Sequence, residues 1–266
     1  IIFDPRSIDL TVEKIHDSIM RDYVGLMDDF VSPSQGMHLL DDKTLLMIVD
    51  CQSEFLLVEP KLVKKARHIG IIDHHRQGEG SINNPEFYYS STSASSSVEL
   101  IVELLEFFEK ELSFDALEAT WMLLGIIVDT NNFIYRTSSK TFEVASMLKR
   151  YGADMTIVKK YLKEEHSDKV IRGEFLKNME IYKNSVAIAV ASEDMPILNR
   201  VDLAKVSDEL ISIAGVELGI TIGYIGDNEI GLSARSLGAI NSQIIMEKMG
   251  GGGHLNNAAA QRRGET

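Results

Sequence analysis

Two apolar runs of strand length, residues 45–49 and 69–72, each end directly on an acid, Asp50 and Asp73. A strand-length run without polar alternation is buried on both faces, the condition of a central strand in a parallel sheet. In open sheets of that kind, sites are built at the carboxyl ends of the strands. The second run continues as Asp73-His74-His75-Arg76, so one buried strand delivers several polar side chains to its end. A third run, residues 123–128, stops at Asp129-Thr130, and Gly250-Gly251-Gly252-Gly253 leads into His254. We read the chain as arranged to bring these four stretches together around metal and phosphate.

The order of elements supports an α/β fold. A short strand over residues 1–3 and a turn at residues 4–7 precede a helix capped by Thr11, with Val12, Ile15 and Ile19 at helical spacing. The strand over residues 44–49 reads as central, and residues 60–66 suit a short helix before the Asp-His-His strand. Residues 77–97 read as a loop. Ser96 and Glu99 form a capping-box pair for a helix whose apolar stripe is Val98, Ile101, Val102, Leu105 and Phe108. A second helix runs from about Phe114-Asp115 to Asp129, and helices follow near residues 141–151 and 157–162. Alternating strands and helices of this kind imply a parallel sheet.

Residues 163–169 are highly polar, and a linker or exposed helix is expected there. Residues 166–182 are expected to be a linker between an N-terminal domain (residues 1–165) and a smaller mixed α/β domain (residues 183–266), with the active-site cleft between them. In the latter, strands are expected over residues 185–191 and 216–225. Gly226-Asp227-Asn228 turns the second of these into a hairpin partner over residues 230–236. A helix over residues 240–249 ends at the glycines, and a further helix is expected to begin near Asn257.

Composition excludes some classes. Of 266 residues, 44% are hydrophobic and 25% charged, so a proper core is available. A net charge of −13 disfavours a broad duplex nucleic-acid face, though not a small nucleotide met by metals and local cations. Cys51 is the only cysteine, so no internal disulfide forms and a reducing compartment fits. No apolar run approaches 18 residues. Both ends look cut, since residues 1–3 begin as if inside a strand and residues 258–261 run into 262–266 with nothing after them to cover an apolar face. A piece of a longer polypeptide is expected.

An acid at a strand end is often only a cap or turn residue. Several at corresponding positions weaken that explanation, because such ends converge in space. Carboxylates with imidazole suit manganese, magnesium or iron without a thiolate, and Cys51 reads as a packed neighbour. Of His74 and His75, which point opposite ways on a strand end, one can bind metal while the other faces substrate or a carboxylate. Asp73 is a candidate for that carboxylate, fixing an imidazole tautomer. Arg76 is open to two readings, phosphate contact or solvated surface. Four glycines exceed what a helix cap requires; they permit close approach of backbone to a ligand and can aim N–H groups at an anion. Arg235, within Ser233-Ala234-Arg235-Ser236, is placed to hold a phosphate or stack on a base.

Together, Asp73-His74-His75 and Gly251-Gly252-Gly253-His254 resemble the DHH phosphoesterase superfamily and its DHH-associated C-terminal domain. Asp73-His74-His75-Arg76, the serine-rich segment before Val98-Glu99-Leu100, and Ser233 to Gly238 with Gly250 to Leu255 are similar to the GdpP-type cyclic-di-AMP phosphodiesterases. That resemblance implies hydrolysis of cyclic-di-AMP to linear 5′-pApA, by in-line attack of a metal-bound hydroxide between two manganese ions. Asp50 would bridge the metals, His74 and Asp129 would ligate one of them, and His75, oriented by Asp73, would lie near the scissile phosphate. Arg235, Gly251, Gly252, Gly253 and His254 would hold the nucleotide. It also implies a cytoplasmic fragment of a longer protein anchored in the bacterial membrane, and a homodimer is compatible with it. Two departures stand out. The family's first motif, a histidine followed by Asp-x-Asp that supplies other metal ligands, has no counterpart here, so the given sequence alone implies a half-built site. Asp50 is also followed by Cys51-Gln52-Ser53, where relatives commonly have Thr-His-Arg.

Other readings are a nano-RNase or pAp phosphatase acting on short linear nucleotides, a nucleotide-binding module with a dead metal site, and an α/β scaffold with chance carboxylates. Product analysis, binding under chelation and a manganese-dependent thermal shift separate them.

Overall fold

The computed structural model describes residues 30–78, 80–107, 115–253 and 255–263. The strand at residues 1–3, the helix capped by Thr11, and Phe108, Phe114 and His254 lie outside the described residues. The chain divides into two compact units, one ending at Lys163 and the other beginning at Glu164. Among the described residues, no helix is long and apolar enough to cross a membrane.

The first unit carries a parallel sheet of β1 (Leu45–Val49), β2 (His68–Asp73) and β3 (Phe87–Ser90), in that order. β2 is therefore the central strand, with Ile71 and Ile72 buried. β1 departs from expectation: Leu45, Met47 and Val49 are exposed on one face, and among the described residues it has a strand partner on one side only. β3 lies inside the stretch expected to be a loop. Four residues, Phe-Tyr-Tyr-Ser, are too few to show a period among serines and asparagines, but Phe87 and its neighbours register in parallel with Gly70 to Asp73.

Around this sheet lie α1 (Pro33–Leu39), a single 3₁₀ turn (Glu54–Leu56), α2 (Lys61–Lys65) and α3 (Ser97–Glu106). Then come α4 (Ala116–Asp129), α5 (Ser139–Arg150) and α6 (Met155–Tyr161). α4 begins at an Asp115 cap closed by Glu118. Its Leu123, Leu124, Ile126 and Ile127 form the centre of a helical core with Val144 and Leu148 of α5 and Val158 of α6. On the sheet side, Leu100 of α3 packs with Ile72 and Ala94. Leu100 and Val102 are the buried apolar residues of α3, so the buried stripe is rotated from the expected one. The Ser96 hydroxyl caps α3 by accepting the Glu99 N–H, but the Glu99 carboxylate does not return the bond.

The second unit starts with α7 (His166–Lys177) and β4 (Glu180–Tyr182), which occupy the stretch expected to be a linker. α7 is the exposed helix that the polar stretch allowed, and it reaches further into the expected linker because a helix with one broad polar face reads in sequence as a polar segment. Phe175 is completely buried in the core of this unit, and Arg172 of α7 forks onto Glu164. Next come β5 (Val186–Val190), α8 (Arg200–Leu210), β6 (Leu218–Gly226), β7 (Glu229–Ser236), α9 (Ser242–Lys248), β8 (Gly252–Gly253) and β9 (Asn257–Arg263). The sheet order is β4-β5-β6-β7-β9-β8; β5 and β6 are parallel and the other pairs antiparallel. The expected hairpin is β6–β7, turning at Asp227-Asn228. α8 lies close on β6, where a Cβ at Gly219 would stand 2.7 Å from the Ser207 carbonyl oxygen. The segment from Asn257 is a strand, not a helix. Ala258 and Ala260 alternate into the core beside Met246 of α9, so a period of two overrides the helical preference of alanine.

Candidate functional site

In the first unit the site is assembled where β1, β2 and α4 end and where α3 begins. Asp50 follows β1 with φ 62, a left-handed backbone that aspartate tolerates better than most residues. Its N–H is held by the Ile72 carbonyl at 2.9 Å, and its Oδ1 accepts the Ser97 hydroxyl at 2.7 Å. Asp73 ends β2 with no surface exposed. Its Oδ1 accepts both the backbone N–H (3.1 Å) and the ring Nδ1–H (2.7 Å) of His75, while the buried Oδ2 has no hydrogen-bond partner among the described residues.

The His74 imidazole is only 1% exposed. Its Nδ1 lies 3.4 Å from the Ala94 carbonyl oxygen. A carbonyl can only accept, so Nδ1 carries a proton and Nε2 is the ring nitrogen turned to the acids. Nε2 faces Asp50 Oδ1 at 3.5 Å and Asp129 Oδ2 at 3.9 Å. These distances exceed a hydrogen bond. They fall in the range of about 3 to 4 Å that separates donors sharing one small divalent cation with bonds near 2.1 Å. Donor atoms of Asp50, His74 and His75 all lie within 4.8 Å of one another.

Asp129 is the last residue of α4, where the helix dipole disfavours a negative charge. Burial pushes its carboxyl pKa up and the Asp50 charge adds to the rise, while His74, Arg136 and His75 oppose it. Two acids and a metal-competent nitrogen facing one point, with too little positive charge between them, form a donor set that fits a divalent cation of the manganese or magnesium kind. The residues present therefore fit the metal that the sequence implies.

The structure brings Asp50, Asp73, His74, His75 and Asp129 together. It alters one expectation: β2 stops at Asp73, so the opposite-pointing rule for strands does not govern the two histidines. Their rings meet edge to face at 4.3 Å, and both reach the same site. His75, expected near the phosphate, joins the ligand cluster. Arg76 is exposed. Cys51 packs with Ile48, Val63, Ile71 and Ile82, donates to the Ser53 carbonyl, and has its thiol pKa raised by burial, all of which disfavour a thiolate ligand.

Gln52 carries no signal in the sequence. It is 5% exposed and uses both ends of its amide: Nε2 donates to the His75 carbonyl at 2.6 Å, and Oε1 accepts the Tyr88 hydroxyl at 2.8 Å. The departure Cys51-Gln52-Ser53 thus supplies a brace behind His75. Gln52→Leu should cost about 1–3 kcal/mol in urea denaturation, because the His75 carbonyl loses its donor and the Tyr88 hydroxyl its acceptor. A change within error would show that water replaces the amide. Ser97 and Ala94 are likewise not marked out as individual residues, although the serine-rich segment that holds them is legible.

In the second unit, Arg235 on β7 pairs with Asp208 of α8 at 3.2 Å and donates to the Ala234 carbonyl. Burial raises the Asp208 pKa and Arg235 offsets it, so this arginine is oriented by a partner of its own. The glycines divide by role. Gly250 has φ 82 and donates to the Glu247 carbonyl as α9 ends. A Cβ at Gly251 would stand 2.0 Å from the Ala259 carbonyl oxygen, and one at Gly253 would stand 2.4 Å from that of Asn257. Those two permit close approach to the protein's own strand β9. A Cβ at Gly252 would meet nothing within 4 Å, so this residue faces open space.

These features define a two-domain protein of the DHH type. Residues 9–126 match the DHH family, N-terminal domain, residues 183–265 match the DHHA1 domain, and the chain belongs to this family. It is 41% identical over 99% of its length to the cyclic-di-AMP phosphodiesterase GdpP of Bacillus subtilis, and 37% identical over 100% to the cyclic-di-AMP phosphodiesterase PdeA of Listeria monocytogenes. The chain spans about 40% of the length of each of these relatives. Among solved structures, an exopolyphosphatase-related protein from Bacteroides fragilis matches with TM-score 0.75 and 18% identity, over 98% of this chain and 84% of that one. That likeness bears on the fold alone.

Proposed function

We propose that the protein is a metal-dependent phosphodiesterase that hydrolyses cyclic-di-AMP to linear 5′-pApA. The observation that carries this reading is the buried His74 imidazole, whose Nε2 faces Asp50 and Asp129 at distances suited to a shared cation. The names of the similar proteins supply the substrate. When bound, manganese would offset phosphate charge and activate a water for attack.

The chain's own residues prepare that chemistry. Asp50, His74 and Asp129 would hold the ion, and His75, whose Nδ1 is bonded to Asp73, would be left its Nε2 to turn to the same point. Asp73 fixes the His75 tautomer from a site closed to water, so the ring presents one nitrogen reproducibly. From the second unit, Arg235 would meet phosphate with its guanidinium already oriented by Asp208, and Gly252 with His254 would contact the nucleotide. In this reading the chain is the cytoplasmic part of a longer, membrane-anchored protein.

The test is product analysis by chromatography after incubating the protein with manganese on cyclic-di-AMP and, separately, on pApA. Conversion of the cyclic dinucleotide to pApA is the expected result. Preference for pApA with release of AMP would replace this reading with the nano-RNase activity. Tight nucleotide binding that survives chelation, without product, would replace it with a binding module.

A further inference from the structure

Glu99 lies in the first turn of α3, beside Leu100 and Val102, and is only 4% exposed. An apolar side chain would suit that interior position, whereas a carboxylate taken from water is costly unless its oxygens are well bonded. One oxygen, Oε2, receives three neutral donors: the Ser95 N–H at 3.2 Å, the Ser95 hydroxyl at 2.5 Å and the Thr141 hydroxyl of α5 at 2.8 Å. Ser95, Ser96 and Thr141 are themselves buried. The acid therefore clamps the segment that precedes α3 and ties it to a helix of the other core layer.

That segment makes two of the outer contacts of the candidate metal centre. The Ala94 carbonyl stands against His74 Nδ1, and the Ser97 hydroxyl donates to Asp50 Oδ1. Ser95, the residue that Glu99 grips through both its backbone and its side chain, lies between them. We propose that Glu99 is a positioning residue for the metal centre, holding residues 94–97 so that His74 keeps its Nδ1–H tautomer and Asp50 its orientation. The inference rests on the reading of His74 and Asp50 as metal ligands. Sequence alone suggests a different task for Glu99, closing the cap of α3, which its carboxylate does not perform.

The experiment compares wild type with Glu99→Gln, Glu99→Leu and Thr141→Val. Manganese affinity is measured by calorimetry, the fold by urea denaturation, and the His74 tautomer by nitrogen-15 imidazole spectra of the metal-free protein. Glu99→Gln keeps an acceptor oxygen in place and should bind manganese nearly as wild type does. Glu99→Leu should weaken manganese binding about tenfold, the lower range for loss of an outer-shell partner, and should shift or broaden the His74 Nδ1–H signal. If Glu99→Leu does not fold, Thr141→Val removes one donor from the same clamp and should move affinity and tautomer in the same direction. Folded variants with lower urea midpoints but unchanged affinity and tautomer would overturn the proposal, since a purely structural role predicts that pattern. A wild-type protein that binds no manganese would overturn it together with the metal centre. One that binds manganese yet cleaves no dinucleotide would overturn the proposed reaction only, because the affinity and tautomer comparison needs no turnover.

Discussion

Asp50→Asn is expected to abolish manganese binding at concentrations that saturate the wild type while leaving the metal-free fold as stable as before or slightly more so. Three features of the site argue for the second half. Asp50 has φ 62, and asparagine is among the residues that adopt this left-handed backbone most readily. The amide oxygen can still accept the Ser97 hydroxyl, so that hydrogen bond survives. The substitution also removes one of two like charges, and the Asp50 charge is among the causes that raise the Asp129 pKa, so the metal-free site is relieved of repulsion. For the first half, an amide oxygen is a far weaker partner for a divalent cation than a carboxylate, and the loss should exceed the roughly 10- to 100-fold that removal of an outer-shell partner costs. Calorimetry with manganese and thermal melts with and without the ion give both readings. A variant that melts at the wild-type temperature without metal, and no longer gains stability from manganese, is the expected result. Undiminished manganese affinity would remove Asp50 from the ligand set and leave His74 and His75 to define a different site. Cyclic-di-AMP turnover should fall at least as far as manganese affinity.

The parts of this site that are legible in the sequence share one property: each acid or imidazole closes an uninterrupted apolar run. Asp73-His74-His75 after Ile71-Ile72 is the clearest case, because polar residues at the end of a buried strand are delivered to the sheet's edge. Asp129 is legible for another reason, since a helix capped at Asp115 and apolar through Ile127 has to end near it. The features without a sequence signal lie where side chains reach across the chain. Nothing local in Cys51-Gln52-Ser53 shows that the Gln52 amide spans to His75 and Tyr88, 23 and 36 residues away. Glu99 three residues after Ser96 fits a capping box so well that the pattern hides its true partners, Ser95 and Thr141. Strand β3 is too short to announce itself. The stretch 166–182 is obscure because a helix with a single fully buried residue, Phe175, looks polar in sequence. In the second unit, the alanines of β9 favour a helix by propensity, and only the small clearance beneath Gly251 and Gly253 explains why a strand of alanines is needed there.

That clearance sets the second large effect. Gly251→Ala is expected to destabilise the second unit by about 3 kcal/mol or more, at or above the upper end of ordinary overpacking. The added methyl would stand 2.0 Å from the Ala259 carbonyl oxygen and 2.5 Å from the Ala260 Cα, so it meets backbone, which no rotamer change can move aside. Relief requires β8 to part from β9, where Gly252 and Gly253 pair with Ala259 and Ala258. It would also disturb the bond from the Gly251 N–H to the Met246 carbonyl at 2.8 Å that closes the end of α9. Met246 is buried in the same core as Ala258 and Ala260, so the strain passes directly into the packing of that face. Gly252→Ala is the matched control, since a Cβ there meets nothing within 4 Å. Its stability should stay at the wild-type value, and any loss of cyclic-di-AMP affinity then measures how closely the nucleotide approaches the backbone at that residue. Urea denaturation of both variants, followed by nucleotide titration of the one that remains folded, separates the two uses of a single glycine run. Equal stability of Gly251→Ala and wild type would mean that β8 and β9 are not held this closely. Unchanged affinity in Gly252→Ala would assign the whole run to the protein's own sheet and leave nucleotide contact to Arg235 and His254.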